Sequence, residues 1–205
     1  EGSRLMDELL SSNLEIKEIY YTSEWKCPNF NTKIYSELIS NDEMKKISAL
    51  TTPSQVFAVI AIPEYNIDDI DFASELTLAL DTIQDPGNLG TIVRLADWFG
   101  INSIICSHET VDIFSPKVVQ STMGAITRVK VVYCDLKEEL LKIKSKVPIY
   151  GTFMEGNNIY ETELEPQGIV VMGNEGNGIS EKVEKLVSHK IHIPSFAKDR
   201  TNVES

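Results

Sequence analysis

The chain is poor in the features that mark secreted, membrane-spanning or metal-binding proteins. Its 205 residues include three cysteines. Cys27, Cys106 and Cys134 stand singly, without CxxC spacing or a nearby His pair, so neither a disulfide framework nor a zinc site is expected. No run approaches the roughly 20 consecutive apolar residues of a bilayer span. The opening EGSRLMDELL has neither the basic flank nor the apolar stretch of a signal peptide. A cytoplasmic protein with no membrane association and no metal is expected. Gly-Lys-Ser/Thr and G-x-G-x-x-G are both missing, which argues against an ordinary nucleotide-binding α/β enzyme. No Ser-His-Asp set or paired-carboxylate site can be assembled. Positive charge is scarce as well: 19 Lys and Arg face 31 Asp and Glu, a net charge of −12. That balance argues against a nucleic-acid reader, because affinity for phosphate backbones comes largely from Lys and Arg. The deficit is uneven, however. Residues 1–72 hold 6 basic and 13 acidic side chains, and residues 73–205 hold 13 and 18. A local basic surface including Arg94, Lys117, Arg128 and Lys130 is compatible with this distribution, although any one of these side chains is better read as part of a solvated face.

What is present is an alternation of apolar strands and amphipathic helices. Leu5, Met6, Leu9 and Leu10 recur at helical spacing, and 16–21 reads as a strand. NDEMKKISAL reads as a second helix capped by Ser40 or Asn41, and QVFAVIAIP as a buried strand. These make a small α/β unit over 1–62. The polar, acidic stretch at 63–75 reads as a linker, and 76–205 as a second, larger domain. In the latter, strands are expected at 76–80, 103–106, 127–133, 148–152, 168–172 and 190–194. Helices are expected through 90–99, from Pro116 with Ser115 as cap, over 136–144 and from Ser180. Strands that are apolar throughout and separated by helices predict an α/β fold, a mostly parallel sheet with helices on both faces. Its ligand belongs at the carboxyl ends of the strands.

Three strand ends carry unusual loops. In DTIQDPGNLGTIVRLADWFG (81–100), Pro86 and Gly87 make a turn into a helix whose apolar positions Ile92, Leu95, Ala96 and Phe99 are expected to face the sheet. Asn88, Thr91 and Arg94 then fall on another face. Taken alone, this is equally a capped amphipathic helix with a solvated arginine. VVMGNEGNGIS (170–180) places three glycines within six residues directly after a strand, which permits positive φ and close approach of a ligand to the backbone. Glu175 in its middle would repel a pyrophosphate and suits a ligand bearing hydroxyls, amides or positive charge. IHIPSFAKDRTNVES (191–205) ends a strand at Pro194 and continues as a polar segment. His189 and His192 beside it read as surface or satisfied core groups rather than ligands.

In this order, the three loops resemble the three motifs of the SpoU family within the SPOUT methyltransferases: DPGNLGTIVRLADWFG the first, MGNEGNGIS the second and IPSFAKDRTNVES the start of the third. The unit at 1–62 is similar, more weakly, to the small L30e-like substrate-binding domain that precedes many members. The resemblance implies a C-terminal trefoil knot, an exception to the general rule of unknotted chains, and a homodimer with each active site near the interface. It further implies transfer of a methyl group from S-adenosylmethionine to a ribose 2′-hydroxyl of tRNA or rRNA. The alternative is a non-catalytic RNA-binding protein on the same scaffold. The implied cofactor contacts are Gly151 and Thr152, then Met172, Gly173, Asn174, Glu175 and Gly176, and finally Ile193 and Pro194. The implied catalytic set is Arg94, Asn88, Glu175 and Ser205. An arginine guanidinium keeps its proton to above about pH 12, so Arg94 is expected to hold the substrate phosphate and stabilise developing alkoxide rather than act as a free base. Asn88 is expected to orient the ribose or Arg94, and Glu175 to brace the second loop by accepting backbone amide hydrogen bonds. The family's third motif continues past the serine matched by Ser205 into a C-terminal helix. The resemblance therefore implies that 76–205 is C-terminally truncated and 1–62 N-terminally clipped.

Overall fold

A computed structural model describes residues 1–26 and 33–195, so Cys27 and the segment 196–205 lie outside the description. The N-terminal part is a three-stranded sheet of β1 (Ile16–Tyr21), β2 (Tyr35–Leu38) and β3 (Val56–Ile60). The order is β2-β1-β3, with β1 parallel to β2 and antiparallel to β3. Helix α1 (Ser3–Leu10) contributes Met6 to a small core with Ile19, Trp25 and Val56. Helix α2 (Asn41–Ile47) starts at a capping box. The Ser40 hydroxyl accepts from the Glu43 amide, and the Glu43 carboxylate accepts from the Ser40 amide at 2.9 Å.

The larger sheet has six strands: β4 (Leu76–Asp81), β5 (Ser103–Ser107), β6 (Lys130–Cys134), β7 (Ile149–Asn158), β8 (Gly168–Gly173) and β9 (His189–His192). Their order is β6-β5-β4-β8-β7-β9, and every neighbouring pair is parallel. One face carries α3 (Pro86–Trp98) and α4 (Pro116–Ser121), with Leu80, Leu89, Val93, Ala96, Ile104 and Val118 in its core. The other carries α5 (Leu136–Ile143) and α6 (Glu181–Glu184), with Ala79, Ile105, Leu140, Ile169 and Val183 between. Removing one such aliphatic side chain from water contributes roughly 1.5–3 kcal/mol, against about 1 kcal/mol at most for an exposed ion pair. The two cores, not the surface charges, therefore hold the sheet.

Several boundaries differ from the sequence expectation. The segment 125–127 is a single 3₁₀ turn, and β6 begins only at Lys130. Strand β7 runs on to Asn158 through an irregularity that sets both Thr152 and Asn157 opposite Ile191. Helix α3 begins at Pro86, capped by Asp85, whose carboxylate accepts from the Asn88 amide at 2.8 Å. Its face also differs. Leu89, Ile92, Val93 and Ala96 are buried, whereas Leu95 is 49% and Phe99 72% exposed. Two apolar stripes of equal helical spacing compete along this helix, and packing selects the one beside Gly90. A Cβ at Gly90 would stand 1.8 Å from the Ser121 hydroxyl oxygen, so the glycine lets α4 close onto α3 there.

The two parts meet at Arg128. Its guanidinium donates to Asp97 of α3, Nε to Oδ1 and Nη2 to Oδ2 at 2.8 Å each, and also to Glu8 of α1. These partners, Asp97 first, raise the Arg128 pKa above the ordinary arginine value, so this cation is committed. Among the described residues, no helix is long and apolar enough to cross a membrane.

Candidate functional site

From β4 the chain moves through β5 to β6 on one side, then returns to fill β8, β7 and β9 on the other. The strand order thus reverses between β4 and β8, and such a switch point opens a crevice at the carboxyl ends of the strands. The first loop leaves β4 and the second leaves β8, one on each side of that crevice.

The second loop is a tight turn. The Asn174 amide donates to the Gly178 carbonyl at 3.0 Å and receives the Gly178 amide on its own carbonyl at 2.8 Å. Gly178 has φ +68°, and a Cβ at Gly173 would lie 2.2 Å from the backbone of both Gly178 and Ile179. Glycine is required at both positions, for conformation at the one and for space at the other. The Asn174 side-chain oxygen accepts the Gly176 and Asn177 amides at 3.0 Å each. The bracing expected of Glu175 is therefore supplied by Asn174, whose shorter side chain closes an Asx turn on its own backbone.

Glu175 reaches across the crevice instead, where its Oε1 accepts from Asn88 Nδ2 at 2.7 Å. The first-motif asparagine and the second-motif glutamate, separated by 87 positions in the chain, are a hydrogen-bonded pair. Two further links join the loops. Asn174 Nδ2 donates to the Thr82 carbonyl at 2.9 Å, and the Ser180 amide donates to Asp81 Oδ2 at 2.8 Å. Asp81, 1% exposed, and Thr82 were not among the expected site residues. A carboxylate closing the apolar strand LTLALD was the signal available in the sequence.

Arg94 lies on the exposed side of α3, six residues beyond Asn88, and makes no hydrogen bond or ion pair with a described residue. Asn88 and Thr91 are exposed with it, as the helical spacing predicts. Arg94 lines a groove of about 510 Å³ with Thr91, Leu95, Trp98, Met123 and Arg128. Since Arg128 is held by Asp97 and Glu8, Arg94 is the groove cation open to an incoming anion.

The remaining expected residues gather on the other side of the second loop. Gly151 and Thr152 lie in β7 beside β8, where the Thr152 hydroxyl donates to the Val171 carbonyl at 3.0 Å. Gly151 is buried against Phe153 and Val187, with no space for a Cβ. Met172 and Gly173 end β8, and Ile193 and Pro194 follow β9, the neighbour of β7. The stretches 151–154, 172–178 and 191–194 contain no Lys or Arg, and Glu175 stands among them. His192 Nδ1 is buried there without a hydrogen-bond partner. Backbone groups, apolar Met172 and Ile193, and an acidic surrounding suit a neutral or cationic ligand with hydroxyls, and would reject a pyrophosphate. S-adenosylmethionine, a sulfonium with an adenine and a ribose diol, fits that chemistry. Ser205, the remaining expected site residue, lies outside the described residues.

The SpoU rRNA Methylase family matches residues 75–203. The 23S rRNA (guanosine(2553)-2′-O)-methyltransferase RlmP of Bacillus subtilis is 29% identical over 96% of this chain and 79% of its own length. Among solved structures, a TrmH-family protein from Porphyromonas gingivalis is 34% identical with a TM-score of 0.82, over 100% of this chain and 82% of that one. The rRNA methyltransferase of Sinorhizobium meliloti bound to AdoMet is 25% identical with a TM-score of 0.79, over 98% of this chain and 79% of that one.

Proposed function

The chain belongs to the SpoU rRNA methylase family, and on that footing we propose that it is an S-adenosylmethionine-dependent RNA methyltransferase acting on a ribose 2′-hydroxyl of tRNA or rRNA. The observation that carries this reading is the crevice at the β4/β8 reversal. Its loops are tied by the Asn88–Glu175 hydrogen bond, while Arg94 stands exposed six residues further along α3, bonded to no described residue. Gly151, Thr152, Met172 to Gly176, Ile193 and Pro194 would hold the cofactor, by backbone groups for the most part. Bound there, S-adenosylmethionine supplies a methyl group on a sulfonium. Arg94 grips a substrate phosphate through its planar fork of donors and stabilises negative charge developing on the 2′-oxygen. With its amide nitrogen committed to Glu175, Asn88 keeps its carbonyl oxygen available to orient the ribose hydroxyl. Ser205 is assigned to the same site on the motif match alone.

The same reading assigns 1–62 as the L30e-like RNA-binding domain, 63–75 as the linker and 76–205 as the catalytic domain of a cytoplasmic enzyme. It includes a trefoil knot around β7 to β9. The test is incubation with radiolabelled S-adenosylmethionine and rRNA or tRNA, followed by alkaline hydrolysis. A 2′-O-methyl group blocks attack on the adjoining phosphodiester, so the label is expected in alkali-resistant dinucleotides. Label in mononucleotides alone would overturn the ribose assignment, and no label with any RNA would overturn the enzyme.

Homodimerisation is part of this reading and is supported by the outer face of α3. Trp98 is 83% exposed beside Leu95, Phe99 and Met123, a contiguous apolar strip of the kind that marks an interface. A second copy seated there would bring each Arg94 groove to the interface. Trp98→Glu is expected to convert a dimer to a monomer by light scattering; a mass unchanged from wild type would exclude this face.

A further inference from the structure

Thr82 is the residue at which the two loops are referenced to each other. It follows the last residue of β4 and has φ +64°, a left-handed conformation that a β-branched side chain strongly disfavours. The turn is needed because Ile83, the next residue, is buried in the core beneath α3. The strained residue is fixed on three sides. Its amide donates to the Ser107 hydroxyl at 3.0 Å, its own hydroxyl donates to Asp81 Oδ1 at 3.3 Å, and its carbonyl accepts from Asn174 Nδ2 at 2.9 Å. Asp81 is in turn engaged by the Ser180 amide, at the other end of the second loop. Asn174 is used at both ends of its side chain, nitrogen to the first loop and oxygen to the second. A non-glycine left-handed residue that its surroundings over-determine is a place where conformation is held for a purpose.

Resting on the methyltransferase reading, we propose that Thr82 is a positioning residue for this reaction. Its left-handed backbone, held by the hydroxyl bond to buried Asp81, aims its carbonyl at Asn174 and so sets the separation at which Asn88 meets Glu175. Thr82 acts through Asn174 and touches neither substrate nor cofactor.

Two near-isosteric variants test the link from its two ends, and a conservative one controls for bulk. Asn174→Asp keeps the oxygen that caps Gly176 and Asn177 but replaces the donor to Thr82. Thr82→Val keeps the shape and removes the hydroxyl, whereas Thr82→Ser keeps it. In the free protein, amide hydrogen exchange over 83–89 and 173–178 is expected to quicken by about tenfold in the first two variants, the effect of losing one hydrogen bond. Affinity for S-adenosylhomocysteine, read by calorimetry, is expected to fall by about tenfold in parallel, with Thr82→Ser staying within about twofold of wild type. Asn174→Asp with unchanged exchange over 83–89 would overturn the proposal, since a local cofactor contact would weaken binding without loosening the first loop. Thr82→Ser behaving as Thr82→Val would overturn the hydroxyl's part in it. Wild type that fails to bind S-adenosylhomocysteine would count against the methyltransferase reading, while the exchange comparison would still decide the link.

Discussion

Arg94→Ala is expected to lower methyl transfer by at least roughly a hundredfold, the usual effect of removing one preorganised donor from a developing oxyanion. Cofactor affinity is expected to stay within about threefold, the margin for a change that leaves the binding loops intact. The separation follows from where the side chain stands. It is exposed on α3 and bonded to no described residue, while the residues proposed for the cofactor lie in β7, at the end of β8 and in the segments that follow β8 and β9. Alanine is also the better helix former, so the helix and the core beneath it are not weakened and lost activity cannot be ascribed to unfolding. Arg94→Lys sharpens the assignment, because lysine restores a point charge but not the planar bidentate fork. Recovery with lysine would mean that Arg94 serves as charge alone. Equal losses of turnover and cofactor affinity in Arg94→Ala would make the residue structural, and an undiminished rate would remove it from the mechanism.

The parts of this fold that are legible in the sequence are those whose burial is settled within a few residues. LTLAL, SIIC and GIVVM are apolar on both faces because helices cover both sides of a parallel sheet, and they are found as strands within a residue or two. Tyr35–Leu38 is missed because all four residues of that edge strand are exposed, leaving no alternation to detect. The α3 face is misread at Leu95 and Phe99 because two stripes satisfy the same spacing, and the choice rests on how closely Ser121 of another helix approaches Gly90. The candidate site divides in the same way. Asn88, Arg94, Gly173 and Glu175 stand out from loop composition and resemblance, but not that Asn88 and Glu175 bond to each other, nor that Asn174 rather than Glu175 braces the loop. Thr82 is silent in sequence, since backbone strain arises only from what surrounds it. Periodicity likewise carries no information on threading, which is why a knot could enter only through the family resemblance.

The second large effect is expected from a single methyl group. In Gly173→Ala the new Cβ would lie 2.2 Å from the Gly178 carbonyl carbon and 2.2 Å from the Ile179 nitrogen. Both are backbone atoms, so no side-chain rotation relieves the clash, and the turn must open. Opening it breaks the reciprocal Asn174–Gly178 hydrogen bonds and carries Glu175 away from Asn88. Overpacking of this kind costs about 1–3 kcal/mol, which a domain with two aliphatic cores is expected to survive. The damage should therefore fall on the site, with affinity for S-adenosylhomocysteine reduced by about a hundredfold or more because several loop contacts are lost together. Calorimetry and denaturant unfolding on the same preparation separate the two effects. Gly176→Ala supplies the contrast, since its Cβ would meet nothing closer than the Asn174 side-chain oxygen at 3.7 Å, an ordinary contact, and its unfolding midpoint should match wild type. If Gly173→Ala bound the cofactor normally, the turn would not be part of the cofactor site, and the residues from Met172 to Gly176 would have to be assigned an architectural role alone.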